Sequence, residues 1–203
     1  MPDNLPYSQA CENNKDYILA VLSRHLSEPA RITEIGSGTG QHAVHFTQHL
    51  PHLIWQTTDL SQNVELLNNR ILLAGRNNLP PAIALDVTQE QWNCENPTHI
   101  FTANSLHIMA ELSVRKFFAG IRKNLVPESM LFVYGPFKYQ NEFTSESNAR
   151  FDLWLKARDP ESGIRDFETV NGYAKSAGLV LEEDNIMPAN NQLLAWKKQQ
   201  PDV

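Results

Sequence analysis

Cysteine is nearly missing from this sequence: Cys11 and Cys94 are the two present, far apart and outside any metal-ligand spacing. That argues against a disulfide framework and a thiolate metal centre, and it predicts reduced thiols in a reducing compartment. Long apolar runs are missing too. No stretch approaches the ~20 residues that cross a bilayer, so no membrane partner is expected. The opening run, Met1-Pro2-Asp3-Asn4-Leu5-Pro6, has neither the basic region nor the apolar core of a secretory signal, which predicts a cytoplasmic location. Positive charge is in short supply, with 17 Lys and Arg against 23 Asp and Glu, a net charge of -6 and a pI near 5.6. A long footprint on DNA or RNA needs clustered Lys and Arg, so a small-molecule substrate is expected and a nucleic acid is not. What remains is ordinary for a globular protein: 203 residues, 41% hydrophobic and 20% charged. This suits a single domain spanning 1–203, with no linker or repeat to divide it.

Along the chain, strand and helix patterns alternate. An N-terminal segment and helix fill 1–28, with apolar positions at Tyr17, Ile18, Val21, Leu22 and Leu26 predicting a helix from Asn14 to Leu26. Arg31 to Ile35 reads as a first strand, Gln41 to Leu50 as a helix, and Leu53 to Thr58 as a second strand ending at Asp59. Ser61 as N-cap and Gly75 as the C-terminal stop bracket another helix. Ala82 to Leu85 and His99 to Asn104 give a third and a fourth strand, Val114 to Leu125 a helix, and Met130 to Tyr134 a fifth strand. This order means a mostly parallel sheet with helices on both faces. The tail differs. Residues 137–166 form an excursion with a helix near Ser147 to Arg158, carrying Arg150, Arg158 and Arg165, and are read as a lid; a helix from Asp166 to Ser176 follows. Leu179 to Glu183 and Leu193 to Trp196 close the sheet, joined by Asn185 to Gln192.

The chemistry centres on Glu34-Ile35-Gly36-Ser37-Gly38-Thr39-Gly40-Gln41. A turn this rich in glycine between a strand and a helix lets backbone N–H groups approach a ligand. Dinucleotide loops want glycine at the first, third and sixth positions, but here the sixth is Gln41, and a phosphate loop's Gly-Lys-Ser/Thr is missing. Glu34, an acid just before the loop, would repel a pyrophosphate and attract a cationic ligand.

An acid followed by alternating glycines resembles the first motif of class I S-adenosylmethionine (SAM) methyltransferases. The resemblance implies a Rossmann-like α/β fold, a seven-stranded sheet whose last strand is antiparallel. It also implies SAM as cofactor, with S-adenosylhomocysteine as product. In that reading the backbone of Gly36, Ser37, Gly38, Gly40 and Gln41 packs on the methionine and ribose portion, and Glu34 acts on the methionine amino group. Asp59 takes the ribose hydroxyls, and Asp86 with Val87 holds the adenine. Leu60, Asn104 and Leu106 complete the expected contacts. Each acid taken singly is as readily a turn or cap residue; three at successive strand ends carry the argument.

A narrower resemblance spans nearly the whole chain. The segments Ala10 to Lys15, Gly38 to Val44, Thr144 to Asp152, Gly163 to Asp166 and Met187 to Asn191 are similar to a small, functionally uncharacterised methyltransferase-like family. Cys11 and Asn13 depart from its pattern, where alanine and arginine are expected, and Asn13 is the N-terminal substrate candidate.

Ligands in open parallel sheets sit beyond the carboxyl ends of the strands. That rule makes His107 a candidate general base, by its ordinary pKa near working pH, and a substrate candidate. Tyr134, Asn190 and Asn191 join it as substrate candidates, although a histidine after a strand is more often structural and Asn is a common turn former. The expected activity is methyl transfer to a small acceptor. A SAM-binding sensor without transferase activity is the alternative, prompted by the lack of an Asn-Pro-Pro-Tyr-type run after the fourth strand, and a nicotinamide oxidoreductase ranks third.

Overall fold

The computed structural model describes residues 5–94 and 97–200; the opening residues Met1 to Asn4, used above in the reading of the N-terminus, lie outside them. Among the described residues no helix is long and apolar enough to cross a membrane. Seven strands form one sheet in the order β3-β2-β1-β4-β5-β10-β9, with helices packed around it. They are β1 (Ala30–Ile35), β2 (Leu53–Asp59), β3 (Ile83–Ala84), β4 (His99–Ala103), β5 (Met130–Gly135), β9 (Leu179–Met187) and β10 (Asn191–Lys198). β1 runs parallel to β2 and β4, and β2 parallel to β3, while β10 is antiparallel to both β5 and β9. The expected mostly parallel sheet with an antiparallel last strand is therefore present.

The chain forms two compact units, Met1–Asp86 with Asn93–Phe101, and Val87–Trp92 with Thr102–Val203. In the first, α1 (Gln9–His25) contacts α2 (Gln41–His49), and α3 (Val64–Ala74) follows β2. Its core is aromatic. Phe46, Trp55 and Phe101 meet pairwise at centroid distances of 5.1 to 5.6 Å, and the His42 ring stacks on Phe46 at 5.4 Å. β1 buries four consecutive residues, Ile32 to Ile35, as a strand covered on both faces must.

Three sequence expectations need correction here. The first helix begins at Gln9, not Asn14, because Ser8 caps it by accepting from the Cys11 backbone N–H; its first turn carries no apolar stripe to betray it. Ser61 is not the N-cap of the next helix: Ser61–Asn63 is a single 3₁₀ turn, and α3 starts at Val64, although Gly75 does stop it in the left-handed conformation. The third strand is two residues long, not four.

In the second unit, α4 (Glu111–Asn124) buries Val114, Phe117, Phe118 and Ile121. Trp92 lies so close to Gly120 that a Cβ there would stand 2.0 Å from the indole, which fixes glycine at that point of the helix. The 137–166 excursion contains a small sheet that the sequence reading missed: β6 (Phe137–Tyr139), β7 (Glu142–Phe143) and β8 (Arg165–Asp166), ordered β7-β6-β8. Between β7 and β8 lies α5 (Glu146–Arg158), capped by Ser145, and α6 (Phe167–Ser176) follows, capped by Asp166. Asp152, buried on α5, accepts from Ile164 N–H at 2.7 Å and from Lys156 Nζ at 2.7 Å, pinning the return of the excursion to its own helix. β9 runs on to Met187, so the closing turn is only Pro188–Asn190, shorter than the expected Asn185 to Gln192 connection.

Candidate cofactor site

The glycine loop leaves β1 and turns into α2 with Gly36, Gly38 and Gly40 at φ of 72°, 54° and 74°. All three lie in the left-handed region that a Cβ disfavours, so the alternation of glycines follows from the backbone path. Four hydrogen bonds tie this path to the end of β2, one of them from Thr58 N–H to Ser37 Oγ (3.2 Å). Ser37 N–H donates to Thr58 O (2.9 Å), Thr58 Oγ1 donates to Glu34 O (2.8 Å), and Gly38 N–H donates to Asp59 Oδ2 (2.7 Å). The other Asp59 oxygen accepts from Leu60 N–H (2.8 Å) and Asn63 Nδ2 (2.7 Å). Asp59 thus holds the loop in shape, a role that spacing alone did not reveal. Leu60 beside it is 42% exposed, and Leu85 N–H donates to Asp59 O at 2.8 Å, which brings the chain entering Asp86 alongside.

Glu34 lies beneath the loop, only 1% exposed. Its Oε2 accepts from Trp55 Nε1 at 2.9 Å, and burial pushes its carboxyl up to about 7, opposed by the Trp55 and Ser37 hydrogen bonds and aided by the charge of Asp59. None of these groups is cationic. With its carboxyl held at about 7, Glu34 is partly protonated near neutral pH.

Gln41, expected against the cofactor, has its amide engaged with the N-terminal turn. Oε1 accepts from Ser8 N–H and Thr39 Oγ1, and Nε2 donates to Glu12 and to Ser8 O. Asn13 stands exposed on α1 and accepts from Gln9 Nε2 at 2.9 Å.

In the second unit, Asn104 sits at φ 57° and donates its N–H to Tyr134 O at 2.8 Å. Leu106, His107 and Tyr134 are buried. The His107 ring meets Phe151 edge-on at 5.4 Å, and burial, with the nearby Arg165 charge, pulls it down to about 4. The premise that His107 titrates near working pH is therefore corrected: it is a neutral, weakly basic imidazole. The loop that carries it is stitched in place. Arg165 donates to Leu106 O (3.1 Å), Met109 O and Glu161 O (2.9 Å) and pairs with Glu111 (3.3 Å), and Gly163 N–H donates to His107 O (2.9 Å). Arg165, read from sequence as part of a lid, is a clamp on backbone carbonyls. At the closing turn, Asn191 Nδ2 donates to Pro188 O and Ala189 O, while Asn190 O accepts from Asn148 and its own Nδ2 bonds Ser147. The Asn191 side chain is thus engaged within its own turn, and that of Asn190 reaches across to α5.

Solved structures of similar fold include methyltransferases. The chain is similar to an O-methyltransferase family 2 protein from Planctomyces limnophilus in complex with apigenin, at TM-score 0.80 and 15% identity over 93% of this chain and 57% of that one. It is likewise similar to human N-acetylserotonin methyltransferase in complex with SAM, at TM-score 0.77 and 13% identity over 95% and 53%. PigF with bound S-adenosylhomocysteine matches at TM-score 0.76 and 15% identity over 89% and 55%. The chain spans about half the length of these proteins, and at such identities the likeness is one of fold. Residues 5–198 match the family described as a protein of unknown function (DUF938), and the chain belongs to that family.

Proposed function

We propose that the chain is a SAM-dependent methyltransferase acting on a small-molecule acceptor, built as one domain and working in the cytoplasm. The observation that carries this reading is the left-handed glycine loop with one carboxylate bonded to it, Asp59, and another buried beneath it, Glu34, and with no cationic side chain paired with either among the described residues. Two acids around a loop suit a ligand that is positive at a sulfonium and an ammonium, and they disfavour a pyrophosphate.

Bound there, SAM supplies a methyl group already activated on a sulfonium. The chain's residues would do the rest. The backbone of Gly36 to Gln41 lines the methionine and ribose end, Asp59 accepts from the ribose hydroxyls, Leu60 adds an apolar contact, and Asp86 faces the adenine. Val87, Asn104 and Leu106 keep the assignment given by the sequence pattern. Holding the acceptor in line within a dry pocket is the main catalytic task, so no proton transfer needs to run through His107. Asn13, Tyr134, Asn190 and Asn191 remain acceptor candidates, and 137–166 a candidate lid. A small acceptor is supported by the apigenin in one structural relative, and a nucleic acid is disfavoured by the net charge of -6.

Isothermal titration with SAM and with NAD tests the cofactor. SAM should bind, and NAD binding in its place would sink the proposal. A product screen with methyl-labelled SAM over small hydroxyl and amine acceptors tests transfer; SAM binding with no labelled product from any acceptor would favour the sensor reading.

A further inference from the structure

The stretch from Pro6 to Glu12 lies against the glycine loop and is fastened to it at one side chain. Gln41 is 7% exposed, and its amide makes four hydrogen bonds. Oε1 accepts from Ser8 N–H at 2.6 Å and Thr39 Oγ1 at 3.0 Å, and Nε2 donates to Glu12 Oε1 at 2.7 Å and Ser8 O at 3.3 Å. Two donors and two acceptor positions are all an amide offers, so this one is saturated. Three of the four bonds cross from the loop to the N-terminal turn, joining residues 29 and 33 apart in sequence. A second fastening comes from α3, where Arg70 donates to Pro6 O. Cys11 belongs to this stretch and is half-buried. Burial raises its thiol, Ser8 and Thr39 hydrogen-bond to it, and the Glu34 carboxylate is near enough to act on it.

We infer that residues 6–12 form a strap over the glycine loop, that Gln41 is its buckle, and that the strap must be released for the cofactor to exchange. The inference rests on the SAM reading of the loop. Gln41 acts here as a positioning residue: it holds Ser8, Cys11 and Glu12 against Thr39, beside the buried acid expected to face the cofactor's amino group. Release is feasible because Glu12, Lys15, Gln41, His45 and Arg70 also line a polar pocket of about 180 Å³. Groups freed from the buckle would meet water in that pocket and would not be stranded in a dry interior.

Cys11 makes the strap measurable. In a Cys94→Ser background it is the sole thiol of the full chain, and its rate of labelling by an aromatic disulfide reports opening. Gln41→Ala should raise that rate and the SAM dissociation rate each about tenfold or more, since it deletes three crossing bonds, while the thermal midpoint moves by only a few degrees. Saturating SAM should slow the labelling of the unmutated buckle. Glu12→Ala, which removes one of the three crossing bonds together with the Glu12–Lys15 pair at the surface, should give a smaller rise of about threefold in both rates and guards against a folding defect in Gln41→Ala. Labelling and dissociation rates unchanged in both variants would overturn the strap. If SAM fails to bind while labelling still answers to Gln41, the cofactor reading fails and the strap stands as a closure over the loop for another ligand.

Discussion

Glu34 is where burial and charge meet most directly. Its carboxyl is raised from 4.5 to about 7, so the folded chain holds a proton that the unfolded chain releases above about 4.5. The contribution of this group is therefore fully present below pH 4.5 and is lost as pH rises through 7, by about 3 kcal/mol in all. Glu34→Gln keeps an acceptor for Trp55 and removes the titration. It should match the parent near pH 4.5, exceed its stability by about 3 kcal/mol above pH 7 in urea unfolding, and bind SAM much more weakly, a gain in stability at the expense of function. His107 gives a second expectation at this scale. With its pKa pulled down to about 4, it is neutral throughout the working range. The rate profile of methyl transfer should therefore show no step near pH 6.5 that His107→Gln abolishes; such a step, seen and then abolished, would restore His107 as an ordinary general base.

Among the elements, the loop between β1 and α2 is the most constrained by backbone geometry. Gly38 and Gly40 both sit at positive φ, but their surroundings differ. A Cβ on Gly38 meets nothing within 4 Å, whereas one on Gly40 would stand 2.6 Å from Leu67 Cδ1 on α3. Gly38→Ala should cost about 1 kcal/mol for the conformation alone, and Gly40→Ala about 2 to 3 kcal/mol because α3 must also give way. Chemical unfolding of the two variants side by side checks the difference; equal losses would mean that the contact with Leu67 is soft. The strand, the loop and α2 were legible in the sequence because glycine alternation and the acid before it are local signals. The β6-β7-β8 sheet was not. Strands of two and three residues offer no period to detect, and the β6–β7 turn uses Gln140 and Asn141 at φ of 51° and 63°, with no glycine to announce it. β9 was cut short at Glu183 for a different reason: the Asp184-Asn185 pair that follows is a common turn signal.

For the molecule as a whole, the balance of buried titrating groups sets the response to acid. His42, His99 and His107 are each pulled down to about 4 by burial. The unfolded chain protonates them near 6.5, so their contributions are complete above that pH and are lost as it falls toward 4. Glu34 works in the opposite direction over the same window, but it is one group against three. The thermal midpoint should fall steadily from pH 7 to pH 5 in scanning calorimetry; a midpoint that rises on acidification would mean that Glu34 dominates. At this scale the alternation of strand and helix made a mostly parallel sheet legible, the resemblance to class I methyltransferases supplied its seven strands and antiparallel last strand, and the strand order comes from the structure. The sequence could not foretell which side chains meet across the sheet. Trp55 reaches Glu34 only because β1 pairs with β2 in the register Glu34↔Thr57, and Gln41 reaches Ser8 only because α1 packs on α2. The partners of Asn190 and Asn191 were out of the sequence's reach for the same reason: Asn191 bonds within a turn, and Asn190 bonds Ser147 only because that turn comes alongside α5.

The indole of Trp55 has a further consequence. Its Nε1 touches the one carboxylate that changes charge near neutrality, and its ring is sealed among Phe46 and Phe101 away from water. A charge appearing at one end of an indole shifts its electronic transition, and no solvent is present here to blur the shift. The protein therefore carries its own optical electrode, one that reads the charge state beneath the glycine loop without any added label.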